Sequence, residues 1–510
     1  MYRTDGRVSW PVKLWYASGQ SGASITDFGF GVLLFIYYNQ VLGLSGTYTG
    51  LGAGIALFFD ALTDPAVGSW SDGFKSRWGR RHVFMAVSVI PLGLAFLGLF
   101  LPPTGLSQLA LFAWFTVFSI LVRTSQTFFN VPYLSLGAEL TQDYSERTQI
   151  VSLRLIVTVL STLAVTAIGW NFFFVSSPTD PTPQLTRAPY LPYALASMAG
   201  IWITLAMATR FTASTIPHLA GSHQDGRKFG LKRVYQDLLE ALQNRSYRVL
   251  FLGTLIYFIY AGTQGALSMH LNTFYWRLDT FGIQLTQYAG LAGALAGVGF
   301  TPAFNRWLDK KWTVIVGVGI GVILDNTPIF LKLGEWMPHD VRVLAYTLSA
   351  LSFMSSFVGV QASITVSSMM GDVADEHELK HGRRQEGVYF GSYSFSQKCT
   401  GAFGNMIAGF AIDLIGLNPS SRPDDVPHEV LFRFGAFYSV VALLVVAAIW
   451  VFWPYSLSRA RHAEIVAQLQ ARAKAAEQAD GKAGNAFISD EITLTRGRDR
   501  IAGKPAPTSQ

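Results

Sequence analysis

Cysteine, histidine and charged residues are all scarce in this sequence. Its 510 residues include 9 histidines and a single cysteine, Cys399, so an intramolecular disulfide is excluded. Only 14% of the residues are charged, whereas 50% are hydrophobic and the mean hydropathy is +0.31. Soluble domains carry about 25% charged residues. The composition therefore excludes an ordinary soluble protein and favours one whose solvent is mostly lipid.

Catalytic motifs are missing as well. The sequence holds no nucleophile elbow, no His-Glu-x-x-His zinc motif and no Gly-x-x-x-x-Gly-Lys-Ser/Thr phosphate loop. His377 and His381 are four residues apart, but they fall in a charged stretch without further ligands nearby, and we expect them to be solvated. These absences disfavour a membrane enzyme, and we expect no catalytic residue and no cofactor.

The net charge of +7 does not indicate a nucleic-acid partner. The basic residues form short clusters between apolar runs instead of covering one polar face, which is typical of a topological role. We expect a monomer whose partners are the lipid bilayer and a small-molecule substrate.

Apolar runs long enough to cross a bilayer as helices, about 20 residues each, recur along the chain. They leave no room for a separate soluble domain of about 100 to 200 residues. We therefore predict an all-α polytopic membrane protein, and the paired plan of its spans disfavours a channel or a receptor. The twelve predicted spans are 14–42, 47–71, 82–102, 107–139, 147–174, 190–213, 248–275, 284–306, 312–334, 341–371, 386–416 and 428–454.

Lysine and arginine set the predicted orientation of these spans. Basic clusters follow the second, sixth and eighth spans, whereas the connections after the first and third spans hold none. We expect both termini in the cytoplasm and a bacterial-type inner (plasma) membrane. The predicted parts are a first six-helix half, 1–217, a cytoplasmic link, 218–247, a second six-helix half, 248–455, and a largely disordered cytoplasmic tail, 456–510.

Two carboxylates of the second span lie where charge is energetically unfavourable. Asp60 and Asp64 are four residues apart, which puts both on one helix face, with Thr63 beside them and Pro65 opening the helix locally. Two such carboxylates do not both stay ionised in a low dielectric unless a Na⁺ lies between them or one binds a proton. We predict a site for one small cation here, with a solvated helix end as the alternative.

Polar side chains of other spans are candidates for the substrate site. Arg154 and Lys398 are lone cations in apolar surroundings, and we expect them to meet the carboxylates or the substrate, with a structural ion pair as the alternative. The motif Asn130-Val-Pro-Tyr133 places an amide and a phenol around a proline. For Asp27 and Tyr393, pairing or packing between helices is the alternative. The candidates for substrate contact are Ser24, Asp27, Gln126, Asn130, Tyr133, Arg154, Tyr393 and Lys398.

Three stretches, in order and at matching spacing, carry a resemblance to a known family. They are Asp60-Ala-Leu-Thr-Asp-Pro-Ala-Val-Gly68 with Ser76-Arg-Trp-Gly-Arg-Arg81, Asn130-Val-Pro-Tyr133 through Glu139-Leu-Thr141 to Asp143-Tyr-Ser-Glu-Arg-Thr148, and Gly371-Asp372 through Asp375-Glu376 to Gly382-Arg-Arg-Gln-Glu-Gly387. Over residues 10–455 the chain resembles the glycoside-pentoside-hexuronide:cation symporters, the melibiose-permease-like branch of the major facilitator superfamily.

The resemblance implies the fold of that superfamily, with 12 transmembrane helices in two pseudo-symmetric halves, and cation-coupled symport by alternating access. It also implies that Asp60, Asp64 and Thr127 form the Na⁺ or H⁺ site. Arg154 and Lys398 fall at positions that help to organise the sugar and cation sites in the family.

Four positions depart from the melibiose-type pattern. The carboxylate of span four is Asn130, the carboxylate position of span one holds Ser24, the stacking tryptophan is Leu134, and the cation-site asparagine is Thr63. The coupling ion, Na⁺ or H⁺, therefore stays open. We expect a sugar, a glycoside or a related small polar solute as substrate, with a lysophospholipid-like amphiphile as the alternative.

Two predicted cytoplasmic loops, Lys75 to Arg81 and Asp372 to Glu386, are rich in charge. We expect them to form contacts that favour one facing state and break in the other. The candidates for this conformational gating are Asp72, Arg77, Arg80, Arg81, Asp372, Asp375, Arg384 and Glu386.

Overall fold

The computed structural model describes residues 8–74, 76–141, 143–219, 239, 241–382, 386–472 and 474. Throughout those residues the regular secondary structure is helical, without a β-strand. Most of the predicted link 218–247, most of the tail after residue 472 and the gating candidate Arg384 lie outside the described residues. For Glu386 the backbone is described and the side chain is not.

The long helices of the described chain follow the predicted spans. The first, α1, is Trp10–Phe28 and continues through wider π-helical turns as far as Val41. The others are α2 (Gly46–Gly73), α3 (Arg80–Phe100), α4 (Gln108–Glu139), α5 (Tyr144–Ile168, continuing to Phe173), α6 (Tyr190–Thr212), α7 (Arg245–His270, continuing to Tyr275), α8 (Thr280–Trp307), α9 (Lys310–Leu333), α10 (Val341–His381), α11 (Glu386–Ile415) and α12 (His428–Val441, continuing as Leu443–Phe452).

Polar side chains fix where several helices begin. Ser45 and Ser107 accept hydrogen bonds from backbone N–H groups in the first turns of α2 and α4. Asn244, Asp279 and Asp340 do the same for α7, α8 and α10. Such side chains are preferred at this position because their oxygens satisfy N–H groups that have no partner within the helix. The short polar connections between apolar runs thereby set the helix ends.

Nine helices within the described residues are long and apolar enough to cross a membrane. Large apolar side chains are exposed along them, among them Val87, Phe172 and Trp450. An outer surface covered by large apolar side chains is stable in a lipid bilayer and not in water. The protein is an integral membrane protein, and the count of twelve crossings stays a prediction.

The most extensive helix contacts within α1–α6 recur within α7–α12. In the first set, α1 packs on α5 and α6, α3 packs on α4 and α6, and α2 packs on α4. In the second set, α7 packs on α11 and α12, α9 packs on α10 and α12, and α8 packs on α10. The second pattern is the first with six added to each helix number. We call these sets the first half and the second half; the boundaries 1–217 and 248–455 remain predictions.

Among the described residues, several hydrogen bonds between the halves lie at one end of the bundle. We call the end that carries Arg81 and Lys310 the basic end, and the other the opposite end. At the opposite end, Asn39 Oδ1 lies 3.1 Å from His270 Nε2, joining α1 to α7.

Two further contacts reinforce this closure. The Trp170 indole donates to Gln287 Oε1 at 2.9 Å, joining α5 to α8. The Asp413 carboxylate at the end of α11 accepts from the backbone N–H groups of Gly46 and Thr47 at the start of α2, each at 2.7 Å. We call these links, together with Asn39 and His270, the seam. It closes the opposite end between the halves.

Glycines allow α2 and α11 to approach closely beside the seam. A Cβ atom on Gly50 would lie 2.5 Å from the carbonyl oxygen of Asn405, and one on Gly409 would lie 2.2 Å from that of Gly46. No side chain fits at such distances, so these positions require glycine. Small residues at a helix contact are the usual means of close packing in membranes.

The helix α10 is longer than predicted. It runs to His381 and is closed by Gly382, whose φ of 70° is the left-handed conformation typical of a helix C-terminus. Asp372 and Asp375 therefore lie on a helix and not in a loop. The prediction was wrong because it ended the helix where the apolar run ends, although polar residues also continue a helix beyond the membrane.

The prediction of a solvated His377 was wrong for the same reason. His377 is only 3% exposed, and its Nδ1 lies 2.9 Å from the Tyr389 hydroxyl of α11. On a helix, this side chain points into the bundle. The side chain of His381 lies outside the described residues.

The start of the predicted tail is a helix, 459–472, that packs against the second half at the basic end. Ile465 is buried in a cluster with Tyr247 and Met369. The Arg472 guanidinium donates to the carbonyl of Leu379 at 2.6 Å, and the Arg459 N–H donates to Asp309 at 3.2 Å. We call 459–472 the tail helix. It is fixed to the ends of α9 and α10.

Candidate functional site

Side chains from α2, α4 and α11 form a charged cluster inside the bundle. Lys398 Nζ lies 2.8 Å from Asp60 Oδ2 and 2.5 Å from Asp64 Oδ2. The Thr127 hydroxyl lies 2.9 Å from Oδ1 of each carboxylate. We call Asp60, Asp64, Thr127 and Lys398 the cation cluster. It joins two helices of the first half to one helix of the second.

The local sequence of α2 explains why both carboxylates reach the same place. Residues four apart share a helix face, and Asp60 and Asp64 have this spacing. Pro65 has no N–H group, so the carbonyl of Ala61 receives no helical hydrogen bond from it and the helix is loosened locally. Asp60 is buried, whereas Asp64 is partly exposed.

The cluster holds two carboxylates and one ammonium, so one negative charge is left over when both acids are ionised. One proton or one Na⁺ would neutralise it. Thr127 has a single hydrogen to donate and therefore satisfies one carboxylate at a time. The arrangement can thus take up one further small cation through carboxylate and hydroxyl oxygens.

Thr63, predicted beside the carboxylates, does not join the cluster. Its hydroxyl donates to the carbonyl of Asp60 on its own helix at 3.2 Å. Thr127, from another helix, supplies the hydroxyl oxygen instead.

A cavity of 330 Å³, which we call the inner cavity, lies beside the cluster and is lined by both halves. Asp27 lines it from α1, Arg123 from α4 and Asn405 from α11. Gln126 Nε2 lies 3.5 Å from Asp27 Oδ1, so two predicted candidates lie together. Ser24, one turn earlier on α1, is buried, and its hydroxyl has no hydrogen-bond partner among the described residues.

A second cavity, of 340 Å³, lies nearer the basic end, and we call it the outer cavity. The predicted candidates Asn130, Tyr133 and Arg154 line it together with Gln20. Arg154 was expected to meet the carboxylates or the substrate. The structure places it in this cavity, and it forms no ion pair with the cation cluster.

Tyr393 lies apart from both cavities. It lines a small apolar pocket, and its ring centroid is 5.7 Å from that of Phe258 on α7. The surroundings match its alternative interpretation, packing between helices.

Three gating candidates of the first half, Asp72, Arg80 and Arg81, belong to one charged group at the basic end. Arg81 Nη2 lies 2.5 Å from Asp72 Oδ1 and 2.9 Å from Glu139 Oε1, and Arg80 Nη2 lies 2.7 Å from the same Glu139 oxygen. Arg77 is exposed beside its neighbour Trp78. Glu139 was quoted in the family motif but was not predicted as the centre of this group.

Two gating candidates of the second half, Asp372 and Asp375, belong to a separate group. Lys310 Nζ lies 2.6 Å from Asp372 Oδ2, and His462 Nε2 of the tail helix lies 3.1 Å from Asp375 Oδ2. Within the described residues no ion pair joins this group to the group around Glu139. The predicted contacts between the halves at the basic end involve Lys75, Arg384 and the Glu386 side chain as well, which lie outside the described residues, so these contacts stay a prediction.

Among the ionisable residues inside predicted spans that were missed are Arg123 and Asp325. Arg123 lines the inner cavity from the middle of α4. Asp325 of α9 faces a cavity of 380 Å³ in the second half; Ser355 Oγ lies 2.6 Å and the Tyr260 hydroxyl 3.4 Å from its carboxyl oxygens. No basic side chain of the described chain forms an ion pair with Asp325. The rule that singled out Asp60 and Arg154, an ionisable residue within an apolar run, applies equally to both.

A helical bundle that buries charged side chains between its halves, with cavities beside them, defines an integral membrane transporter. The chain matches the family described as MFS/sugar transport protein over residues 15–459 and belongs to this family of the major facilitator superfamily. The family resemblance of the three motifs is confirmed, and the protein is a transporter and not an enzyme.

Known proteins of two substrate classes are similar to this chain. It is 24% identical to the putative glycoside/cation symporter YagG of Escherichia coli, over 90% of this chain and 94% of that one. It is 25% identical to the sodium-dependent lysophosphatidylcholine symporter 1 of Gallus gallus, over 91% and 90%. Among solved structures, the nucleoside transporter NupG matches with a TM-score of 0.55 at 12% identity, over 86% of this chain and 99% of that one, which shows the shared fold.

Proposed function

We propose that the protein is a cation-coupled secondary active symporter of a sugar, a glycoside or a related small polar solute. The observation that carries this proposal is Lys398, which links the second half to Asp60 and Asp64 of the first half through ion pairs of 2.8 and 2.5 Å. An ion that binds the carboxylates competes with this ammonium. Ion binding therefore weakens the ion pairs that join the two halves, and the two halves must move relative to each other during transport.

The substrate site that supports the proposal is the inner cavity. It lies beside the cation cluster, and Thr127 and Gln126 are consecutive residues of α4 that face the cluster and Asp27, respectively. A solute bound by Asp27 and Gln126 is therefore one residue away from the ion site. In this proposal, binding at one site shifts α4 and thereby changes the affinity at the other site. The change in binding free energy is the coupling free energy between ion and solute.

Alternating access follows from the two ends of the bundle. In this state the seam holds the opposite end closed, and no ion pair within the described residues joins the charged groups around Glu139 and Asp372. We propose that release of the seam and formation of contacts between these two groups produce the other state. Rocking of two halves around a central site is the usual transport mechanism of proteins with repeated halves.

The coupling ion in this proposal is Na⁺ or H⁺, bound at Asp60 and Asp64. The test is uptake into vesicles of purified protein, with a Na⁺ gradient, a proton gradient or neither. Asp64→Asn should abolish accumulation against a gradient while leaving the protein folded, and Asp424→Asn, at an exposed loop acid, is the matched control. The proposal fails if Asp64→Asn accumulates solute as the wild type does.

A lysophospholipid-like amphiphile is the second candidate, and the walls of the outer cavity favour it. Leu134, Val151 and Leu155 line this cavity and are about half exposed, at 47%, 50% and 57%. They lie where α4 and α5 pack only loosely, so an acyl chain has an apolar route beside the polar group of Asn130 and Arg154. Uptake of a lysolipid that excess glycoside does not inhibit would support this candidate over the first.

We further propose the bacterial-type inner membrane as the location, cytoplasmic termini and a monomeric state. The clustering of Arg80, Arg81 and Lys310 at one end supports the orientation, since positive charge gathers on the cytoplasmic side. Protease access to the tail in sealed right-side-out and inverted vesicles tests the orientation directly.

A further inference from the structure

The two halves differ in how closely one equivalent pair of helices packs. In the first half α3 and α6 contact each other extensively, whereas the contact between their counterparts α9 and α12 is much less extensive. The small apolar pocket beside Tyr393 has a volume of 50 Å³ and extends between these two helices. They line it with Val314, Ile315, Val318, Ala448, Ile449 and Phe452. We call this space the crevice.

A lysine between two tryptophans lies at the basic end of the crevice. Lys311 Nζ is 5.7 Å from the centroid of the Trp312 ring and 5.4 Å from that of the Trp453 ring. The two rings meet edge to face, with their centroids 5.4 Å apart. Lys311 is four residues from Ile315 on α9, and Trp453 follows Ile449 of α12 by the same spacing, so each shares a helix face with the wall of the crevice.

The charge of Lys311 is not compensated within the described chain. Both α3 and α9 begin with two consecutive basic residues. In α3 both are paired, because Arg80 and Arg81 form ion pairs with Glu139. In α9 Lys310 forms an ion pair with an acid of α10, whereas no Asp or Glu of the described residues forms one with Lys311. Its ammonium is therefore available to a partner outside the chain.

The tryptophans indicate the depth of Lys311 in the membrane. Tryptophan is enriched where the bilayer meets water, and Trp312 and Trp453 are exposed, at 42% and 53%. A lysine at this level lies near the phosphate groups of the lipids. Further along the two helices, toward the middle of the membrane, large apolar side chains such as Ile323 and Trp450 are exposed. A cation at phosphate level with an apolar crevice below it is complementary to a phospholipid.

We infer that the crevice binds an anionic phospholipid from the leaflet at the basic end, with the lipid phosphate on Lys311 and an acyl chain against the apolar walls. Trp312 and Trp453 hold the ammonium in position through cation–π contacts. A zwitterionic head group carries its own ammonium and leaves the charge of Lys311 uncompensated, whereas an anionic head group neutralises it. The bound lipid supplies the packing that α9 and α12 lack and stabilises the second half.

The test counts the lipids that stay bound to the purified full-length protein, by native mass spectrometry during titration with phosphatidylglycerol or phosphatidylcholine. Lys311→Gln removes the charge, and Val318→Phe fills the crevice without changing the charge. The matched control is Arg210→Gln, which removes an exposed charge from the end of α6, the counterpart of α12. The melting temperature of each variant in lipid-free detergent shows whether it is folded.

The inference predicts one site at which the wild type binds phosphatidylglycerol more tightly than phosphatidylcholine. Lys311→Gln should lose about fivefold in affinity for phosphatidylglycerol, the effect of one lysine near an anionic lipid, and keep its affinity for phosphatidylcholine. Val318→Phe should weaken the binding of both lipids, and Arg210→Gln should behave as the wild type. Phosphatidylglycerol should also raise the melting temperature of the wild type more than that of Lys311→Gln.

Three results would overturn the inference. The first is an equal loss of phosphatidylglycerol in Lys311→Gln and Arg210→Gln, because the lipid would then respond to the total charge of the basic end. The second is a wild type that does not distinguish the two lipids, and the third is a folded Val318→Phe that keeps both affinities. If Val318→Phe does not fold, the comparison of Lys311→Gln with Arg210→Gln decides alone. None of these results bears on the proposed symport, since the crevice lies apart from the inner and outer cavities.

Discussion

The carboxylate of Asp413 caps the N-terminus of α2 by accepting a hydrogen bond of 2.7 Å from the backbone N–H of Gly46. Asp413 belongs to the second half and Gly46 to the first, 367 residues away in the chain. A carboxylate at a helix N-terminus satisfies N–H groups that have no helical partner and is favoured by the helix dipole. Ser45 caps the same turn from within the first half, so closing the seam adds the stabilisation by Asp413 to a cap that is already present.

Asp413→Ala should shift the protein away from the state described here. Loss of a helix cap is worth about 0.5 to 2 kcal/mol, enough to change the ratio of two states several-fold. Spin labels at Thr104→Cys and Asn418→Cys, two exposed positions on the first and the second half, in a Cys399→Ser background, should report a larger population at long distance.

The control for this variant is Asp279→Ala, because Asp279 caps α8 within its own half through Gly282 N–H at 2.8 Å. It should lower the melting temperature and leave the distance distribution across the seam unchanged. Equal distance distributions in the two variants would contradict a role for Asp413 in holding the halves together.

Lys398→Met should make the stability of the protein depend more strongly on added cations. Without the ammonium, the two carboxylates of the cation cluster repel each other, and protonation or Na⁺ binding relieves this repulsion. The variant should lose about 1 to 3 kcal/mol at neutral pH, less than a fully buried pair because Asp64 is partly exposed. Its melting temperature should rise more steeply than that of the wild type as the pH falls or as Na⁺ is added, because the variant cluster carries two uncompensated carboxylates and the wild-type cluster one.

Removing a carboxylate as well should compensate. The double variant Lys398→Met with Asp64→Asn should recover part of the lost stability, whereas Lys380→Met, at an exposed ion pair with Glu376, should have little effect in any background. A Lys398→Met variant whose stability is indifferent to pH and Na⁺ would contradict the proposed ion site.

Gly409→Ala should weaken the contact of α2 with α11. The new methyl group would meet the backbone oxygen of Gly46 at 2.2 Å, so one helix must move away. The matched control on the same helix is Gly401→Ala, where the methyl group would meet nothing within 4 Å. The control should be neutral or stabilising, since alanine favours helices by about 1 kcal/mol over glycine. Melting temperatures in detergent decide between them.

Asp325→Asn should be tolerated. The carboxyl group has hydroxyl partners in Ser355 and Tyr260 but no basic partner among the described residues. An amide of the same shape keeps such hydrogen bonds and removes a charge from the membrane interior, so the melting temperature should stay the same or rise. Asp325→Leu should lower it, because the two hydroxyl groups lose their acceptor. A large loss of stability in Asp325→Asn would instead indicate an ionised carboxylate with a bound cation.

The helices and the pairing of Asp60 with Asp64 followed from the sequence because both depend on local rules, whereas Thr127 came from the family resemblance and Lys398 was left between the carboxylates and the substrate. Apolar run length predicted the helices, and the spacing of Asp60 and Asp64 put both on one face. The end of α10 did not follow, since a helix that leaves the membrane becomes polar without stopping. The division of the substrate candidates between two cavities did not follow from the sequence either. The rotation of each helix about its own axis decides which cavity its side chains line, and this rotation is set by the packing partners and not by composition.

The seam was beyond sequence reasoning for a different reason. Asp413 lies near the end of a span, where a carboxylate is normally exposed to solvent. Its partners are backbone N–H groups, which do not depend on the identity of the residue and so cannot be recognised in the sequence. Arg123 and Asp325, in contrast, were within reach of the rule that every ionisable residue inside a span needs a partner or a function.

The orientation of the tail helix follows the orientation of the second half. Because Arg459 and Arg472 fix its two ends to Asp309 and to the carbonyl of Leu379, it tilts with α9 and α10 as a rigid body. A fluorophore on exposed Gln468 would therefore report the angle of the moving half from outside the membrane, without any label near the ion or the solute.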